Sequence, residues 1–277
     1  MQGKAALLVV SFGTAYPEVS ERTIGAIEQE LSAAFPQRTL YRAWTSRRII
    51  QKLKEIQGIS YDTLPDALER MLKHDVTDVL IQPTYLLDGV EYENTVHTIQ
   101  QYKERFDHLT VGSPLLGRRS DVRELANVLE KLFADIPSSE MLAFMGHGSP
   151  HMKLPVYDLL NEMFKDDGFT HFIVGTVEHE PGFMHVMNSV QHRQPRRVLM
   201  TPLLITAGNH VLFDMAGDHE DSWKSQLESS GIKTECCLKG LGEYHEIQEL
   251  YIRRAKEAER NAVRGSKCSK EPGNACL

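Results

Sequence analysis

The chain of 277 residues holds only 4 cysteines, and no two of them form a Cys-x-x-Cys pair. A zinc knuckle or a thioredoxin-type redox site needs that spacing, so neither is expected. Cys236 and Cys237 are adjacent, which points their side chains to opposite faces of a strand and makes them poor disulfide partners. Reduced thiols follow. Long apolar runs are also missing: the longest near the start, Ala5 to Val10, is far too short to span a bilayer. The opening Met-Gln-Gly-Lys lacks the charged, apolar, small-residue order of a secretory leader, so a cytoplasmic protein is expected. Positive charge is in deficit. The 31 Lys and Arg face 38 Asp and Glu, a formal net charge of −7. A non-specific nucleic-acid binder is normally basic. Neither nucleic acid nor a membrane is an expected partner, and a homo-oligomer is open.

The chain does contain the material for a substantial core, with 41% hydrophobic residues against 25% charged. Apolar strand-like runs alternate with helical stripes almost throughout. Strands are expected at 4–10, 39–44, 78–82, from 109, and at 142–146, 171–177, 197–201 and 233–238. Helices are expected between them, including 20–35, 92–106, 119–133 and 244–260. This rhythm predicts an α/β fold of two similar domains, each a parallel sheet flanked by helices. The domains are expected at 1–135 and 136–260, with a flexible polar tail over 261–277.

The two halves also repeat one another. Leu7 to Thr14 and Met141 to Ser149 are both apolar runs that end in a small-residue turn. Val79-Leu80-Ile81-Gln82-Pro83 continues through Gly89 to Glu91, and Val198-Leu199-Met200-Thr201-Pro202 through Gly208 to His210, with Pro to Gly six residues apart in each. This register sets Phe12 opposite His147, Glu91 opposite His210, and Gly13-Thr14 opposite Gly148-Ser149. A duplicated half-molecule with a pseudo-twofold relation is the expectation, with a ligand in the cleft between the halves.

Ligands of such sheets sit beyond the carboxyl ends of the strands. Ser11, His147, Glu178 and His210 all follow predicted strands, so residues distant in sequence can converge. Two imidazoles and a carboxylate suit a borderline divalent ion such as Co²⁺, Fe²⁺, Ni²⁺ or Zn²⁺. Without a thiolate, capture is moderate and release is feasible. Each residue also has an ordinary reading: turn or loop histidines for His147 and His210, and surface charge for Glu178. His179, Glu180 and His185 have no assigned role. In Arg42 to Arg48, hydroxyls at a helix start and arginine forks favour carboxylates, with a simple helix cap as the alternative.

Taken in order, these fragments resemble the anaerobic cobaltochelatases, class II chelatases that insert cobalt into sirohydrochlorin during cobalamin synthesis. The resemblance runs from about Lys4 to about Lys256. It is carried by Val10-Ser11-Phe12-Gly13-Thr14 with Tyr16-Pro17-Glu18, by Arg42-Ala43-Trp44-Thr45-Ser46, and by Gln82-Pro83 with Gly89-Val90-Glu91-Tyr92. Gly146-His147-Gly148, Gly175-Thr176-Val177-Glu178, and His210 with Asp214-Met215-Ala216-Gly217-Asp218 complete it. The chain departs from the family at His179-Glu180-Pro181 and at Tyr85-Leu86-Leu87-Asp88.

The resemblance implies that His147, Glu178 and His210 form the metal and catalytic set. It further implies that Ser11, Phe12, Gly13, Thr14, Thr45, Ser46 and Glu91 bind the tetrapyrrole. No permanent cofactor is expected, because Co²⁺ enters as a substrate, with Fe²⁺, Ni²⁺ or Zn²⁺ as substitutes in vitro. The alternatives are an iron chelatase for sirohaem or haem, and a carrier that binds tetrapyrrole or metal without catalysis.

Overall fold

In the computed structural model, residues 3–268 are described, with side chains through 264. They form two compact units. The first comprises 3–15, 25–115 and 248–268, and the second 16–24 and 116–247.

The first unit is built on β1 (Lys4–Ser11), β2 (Thr39–Trp44), β3 (Val76–Pro83) and β4 (His108–Val111). They pair in parallel in the order β2-β1-β3-β4. Ala6 to Val10 of β1 are fully buried on both faces, as a central parallel strand covered by helices requires. The second unit holds β5 (Met141–Gly146), β6 (Phe172–Thr176), β7 (Val198–Pro202) and β8 (Thr234–Cys236). These are also parallel, in the order β6-β5-β7-β8. The two sheets therefore share one topology, as the repeat predicts.

The likeness extends to single hydrogen bonds. Thr45 N–H donates to Ser11 O at 2.9 Å and Ser46 N–H to Phe12 O at 3.2 Å. In the second unit Val177 N–H donates to Gly146 O at 3.0 Å and Glu178 N–H to His147 O at 2.8 Å. Thr84 N–H to Val10 O and Leu203 N–H to Met145 O are again matched, both at 2.8 Å. Phe12 thus answers His147 and Ser46 answers Glu178.

Three expectations change. The helix expected over 20–35 is divided into Pro17–Ser20, a π-turn at Glu21–Gly25 and a helix at Ala26–Ala34. The Thr23 hydroxyl donates back to Val19 O at 2.6 Å, a local bond that competes with the regular ladder. The division between the units falls at the same place, after Ile24.

The tail expected over 261–277 is helical as far as it is described, because the last helix runs His245–Cys268. Its residues are strong helix formers, and its buried face is tied down. Tyr251 Oη donates to Thr84 O at 2.9 Å, Arg254 Nε donates to Leu115 O at 3.3 Å, and Glu259 pairs with Arg38 at 3.0 Å. Residues 269–277 lie outside the described residues. The third change is in the domain limits: from Gln248 this helix belongs to the first unit, and 116–135 belongs to the second, so the units do not follow 1–135 and 136–260.

Cys236 and Cys237 are free thiols, and burial pushes the Cys236 thiol up to about 11, which keeps it protonated and unreactive. Among the described residues, no helix is long and apolar enough to cross a membrane.

One carboxylate gives the second unit a pH slope. Glu130, on the helix Arg119–Leu132, is pushed from 4.5 up to about 7, by burial first and by the neighbouring Asp167 next. A carboxyl with a raised folded pKa contributes fully below its ordinary pKa, and that contribution is lost as pH rises through the folded value. Glu130→Gln removes this slope. We expect the variant to gain about 1 kcal/mol on the wild type between pH 5 and pH 8, the shift being discounted for partial solvation. Urea unfolding at the two pH values measures it, and an unchanged difference contradicts it.

Candidate active site

Gly146 closes β5 where the Tyr157 ring leaves no room for a side chain; a Cβ there would lie 2.5 Å from Tyr157 Cε1. His147 comes next. Gly148 then turns the chain at φ +86°, and a Cβ on it would stand 1.5 Å from Glu178 O. The carbonyl of Glu178 thus occupies the space that Gly148 leaves empty. Gly148 N–H donates to Tyr157 Oη at 3.3 Å. On the facing loop the Thr176 hydroxyl lies 2.9 Å from Glu178 O and 2.7 Å from His179 O, which ties that loop to the end of β6. Glu180 is engaged within the loop, where it accepts from Gly182 N–H at 2.8 Å.

His210 stands at the start of the π-turn Val211–Met215, after β7. Val211 and Met215 are fully buried and anchor the turn, whereas Phe213 between them is exposed. The fold brings the two imidazoles together: their ring centroids are 4.8 Å apart and the planes are at 88°. Both side chains remain open to solvent, His147 at 45% and His210 at 36%. His147 Nδ1 lies 2.8 Å from Gly148 O, and His210 Nδ1 lies 2.7 Å from Asp214 Oδ2. Neither histidine is a helix cap through its ring; the helix after His147 begins only at Val156.

Glu178 is beside the pair, with Oε2 4.0 Å from His147 Nδ1. Among the described residues, no three His, Cys, Asp or Glu side chains stand in an arrangement that holds an ion. The geometry is therefore that of two converging imidazoles with a carboxylate to one side. Such an open set can accept an ion and a proton without caging either.

In the first unit the corresponding positions carry other chemistry. Phe12 is exposed where His147 stands in the repeat, and Gly13 repeats the turn at φ +96° against the Trp44 ring. Ser11 and Thr14 are buried, and the Ser11 hydroxyl accepts from Thr84 Oγ1 at 2.8 Å. Thr45 Oγ1 accepts from the Tyr85 hydroxyl at 3.3 Å, and burial pushes Tyr85 up to about 12. Ser46 caps the helix Arg47–Gln57 by accepting from Ile49 N–H at 3.4 Å. Glu91 is the second residue of the helix Val90–Gln100, and partial desolvation raises its carboxyl above the usual range. Ser11 and Thr14 therefore back the turn from inside, whereas Phe12 and Glu91 face outward.

Two contributors to the second-unit site have no role assigned from sequence: Tyr157 does not enter, and Asp214 enters only as part of the motif after His210. Tyr157 is held by packing and leaves no local pattern. Asp214 has a signal in its spacing: His210 and Asp214 are four residues apart, neighbours on a helical turn.

Two parallel α/β units of one topology are a fold shared with solved chelatases. The fold matches SirB from Bacillus subtilis with Fe³⁺, at a TM-score of 0.62 and 15% identity, over 94% of this chain and 97% of that one. It also matches CbiX, described as the terminal enzyme for biosynthesis of siroheme in denitrifying bacteria, at a TM-score of 0.54 and 15% identity, over 91% and 99%. The chain belongs to the cobalt chelatase (CbiK) family, whose profile matches residues 5–260. It is 37% identical to the sirohydrochlorin cobaltochelatase of Salmonella typhimurium, over 94% of this chain and 98% of that protein. It is 29% identical to the sirohydrochlorin cobaltochelatase CbiKC of Nitratidesulfovibrio vulgaris, over 90% and 88%.

Proposed function

We propose that this chain is a cytoplasmic enzyme that inserts Co²⁺ into sirohydrochlorin, with His147 and His210 presenting the ion and Glu178 taking up a pyrrolic proton. The observation that carries the site assignment is the convergence of the two exposed imidazoles, 4.8 Å apart, in a chain of the cobalt chelatase family.

Insertion exchanges two pyrrolic N–H protons for one divalent ion. The free macrocycle is nearly planar, and its nitrogen lone pairs are poorly exposed. A protein lowers the barrier by holding a bent ring, by fixing the ion over one face and by accepting the departing protons. Two neutral imidazoles without thiolate bind a borderline ion firmly enough to position it and loosely enough to release it. Glu178 is more than half exposed beside His147, so its carboxylate can take a proton and return it to solvent. Phe213, exposed three residues from His210, offers apolar surface that a flat ring can cover. The ion is consumed as a substrate, and no resident cofactor is invoked. Neither nucleic acid nor membrane takes part.

The test is steady-state absorbance with free sirohydrochlorin and Co²⁺, Fe²⁺ or Ni²⁺ in turn. Many product molecules per chain are expected, with Co²⁺ the fastest. Formation of a single equivalent, which then stops, would make the chain a carrier. A clear preference for Fe²⁺ would make it an iron chelatase.

A further inference from the structure

We infer that Asp214 is a positioning residue for metal presentation: its carboxylate fixes the His210 imidazole in the Nδ1–H tautomer and leaves the Nε2 lone pair for the incoming ion. The inference rests on the proposed role of His147 and His210.

The geometry is specific. Asp214 Oδ2 lies 2.7 Å from His210 Nδ1, within the range of a charge-assisted hydrogen bond. A carboxylate accepts only, so the ring nitrogen facing it must carry the proton. The turn that holds the pair is itself pinned. Val211 and Met215 are fully buried, and Ala216 N–H donates to Val211 O at 3.1 Å. His219 Nε2 and Gly217 N–H both meet Phe213 O, at 3.0 and 3.1 Å, so the far end of the turn is fastened as well. The backbone between His210 and Asp214 thus has little freedom to separate them.

His147 supplies the comparison. Its Nδ1 faces Gly148 O at 2.8 Å, and a carbonyl also only accepts. Both rings therefore commit the same nitrogen and present the same free one, but the partners differ: a neutral carbonyl for His147 and a carboxylate for His210. An imidazole that donates to a carboxylate is the stronger metal donor. His210 becomes the firmer grip and His147 the weaker one. Unequal ligands suit a site whose ion must leave toward a macrocycle, because the weaker bond breaks first.

The test uses the full chain, without tetrapyrrole, in three forms besides the wild type: Asp214→Asn, Asp214→Glu and His210→Ala. Long-range ¹H–¹⁵N correlation of the histidine rings at pH 8 reports the tautomer directly, and titration with Co²⁺ reports affinity. The wild type should show His210 as Nδ1–H. An asparagine that turns its amide toward the ring donates to Nδ1 and drives the proton to Nε2. Asp214→Asn should accordingly change the tautomer and weaken Co²⁺ binding by about 10–100-fold. Asp214→Glu should restore most of the affinity, and the melting temperatures should agree within ~2 °C. An Nε2–H tautomer in the wild type overturns the inference, as does an Asp214→Asn chain with unchanged tautomer and affinity. Undiminished Co²⁺ binding in His210→Ala removes the underlying histidine assignment. Loss of binding in His210→Ala with none in Asp214→Asn removes only the role of Asp214.

Discussion

Replacing either His147 or His210 with alanine should abolish cobalt insertion, by ~10³-fold or more, while the melting temperature stays near that of the wild type. Both parts of this expectation come from the same geometry. The imidazoles are 45% and 36% exposed, so their removal opens no cavity in the core. Their hydrogen bonds end on the Gly148 carbonyl and on the Asp214 carboxylate, the latter partly exposed to solvent. Stability should therefore change by no more than about 1 kcal/mol. The chemical loss is large because ion placement and ion delivery are one event. A single remaining imidazole neither fixes the ion over the ring nor directs it. The double variant should be little worse than either single one, since residues that act as a unit are not additive. Absorbance at saturating Co²⁺ separates a slowed insertion from a weakened affinity. Full activity in both single variants would detach the histidines from the reaction.

Gly148→Ala should be the most damaging small substitution in the second unit. The new Cβ would stand 1.5 Å from Glu178 O and 2.6 Å from its carbonyl carbon, which are backbone atoms that cannot rotate away. The residue would also have to hold φ +86°, in the left-handed region that costs a side-chain-bearing residue ~1 kcal/mol or more. The loop carrying Glu178 must shift, and with it the hydrogen bond from Glu178 N–H to His147 O. We expect a loss of roughly 3–5 kcal/mol and a fall in melting temperature of about 10 °C, with activity lost at temperatures where the chain is still folded. Gly58→Ala isolates the clash. Gly58 adopts φ +68° at a helix end, with nothing within 4 Å of its Cβ position, so only the backbone term applies, about 1 kcal/mol. Equal effects at the two glycines would contradict the account of Gly148.

Much of this architecture was legible in the residues. The continuous apolar runs at Ala6 to Val10 and Met141 to Met145 read as strands covered on both faces, which favours parallel sheets. The Pro-to-Gly spacing after β3 and β7 exposed the repeat. His147 and His210 were legible as candidates because both follow predicted strands, beyond whose carboxyl ends ligands of such sheets sit.

Other features were not legible, for reasons that are physical rather than statistical. The last helix joins the first unit through Tyr251 and Arg254, contacts made across more than a hundred residues, which no local pattern records. The Ser11 hydroxyl reads as a ligand group in sequence, but Thr84 reaches it inside the fold. Ser46 could be a cap or an anion contact on residue type alone, and its hydroxyl meets Ile49 N–H. Asp214 was hidden for the opposite reason. Its spacing from His210 was in view, but the same spacing serves ordinary helix pairs, and only the 2.7 Å contact gives it meaning.

The most direct measurement is the visible ligand-field and X-ray absorption spectrum of the chain loaded with one equivalent of Co²⁺, before any tetrapyrrole is added. Two imidazole nitrogens should surround the cobalt in the wild type, one in His147→Ala or His210→Ala, and none when both are replaced. An identical oxygen-only spectrum from all four proteins would mean that the ion reaches the ring without these side chains.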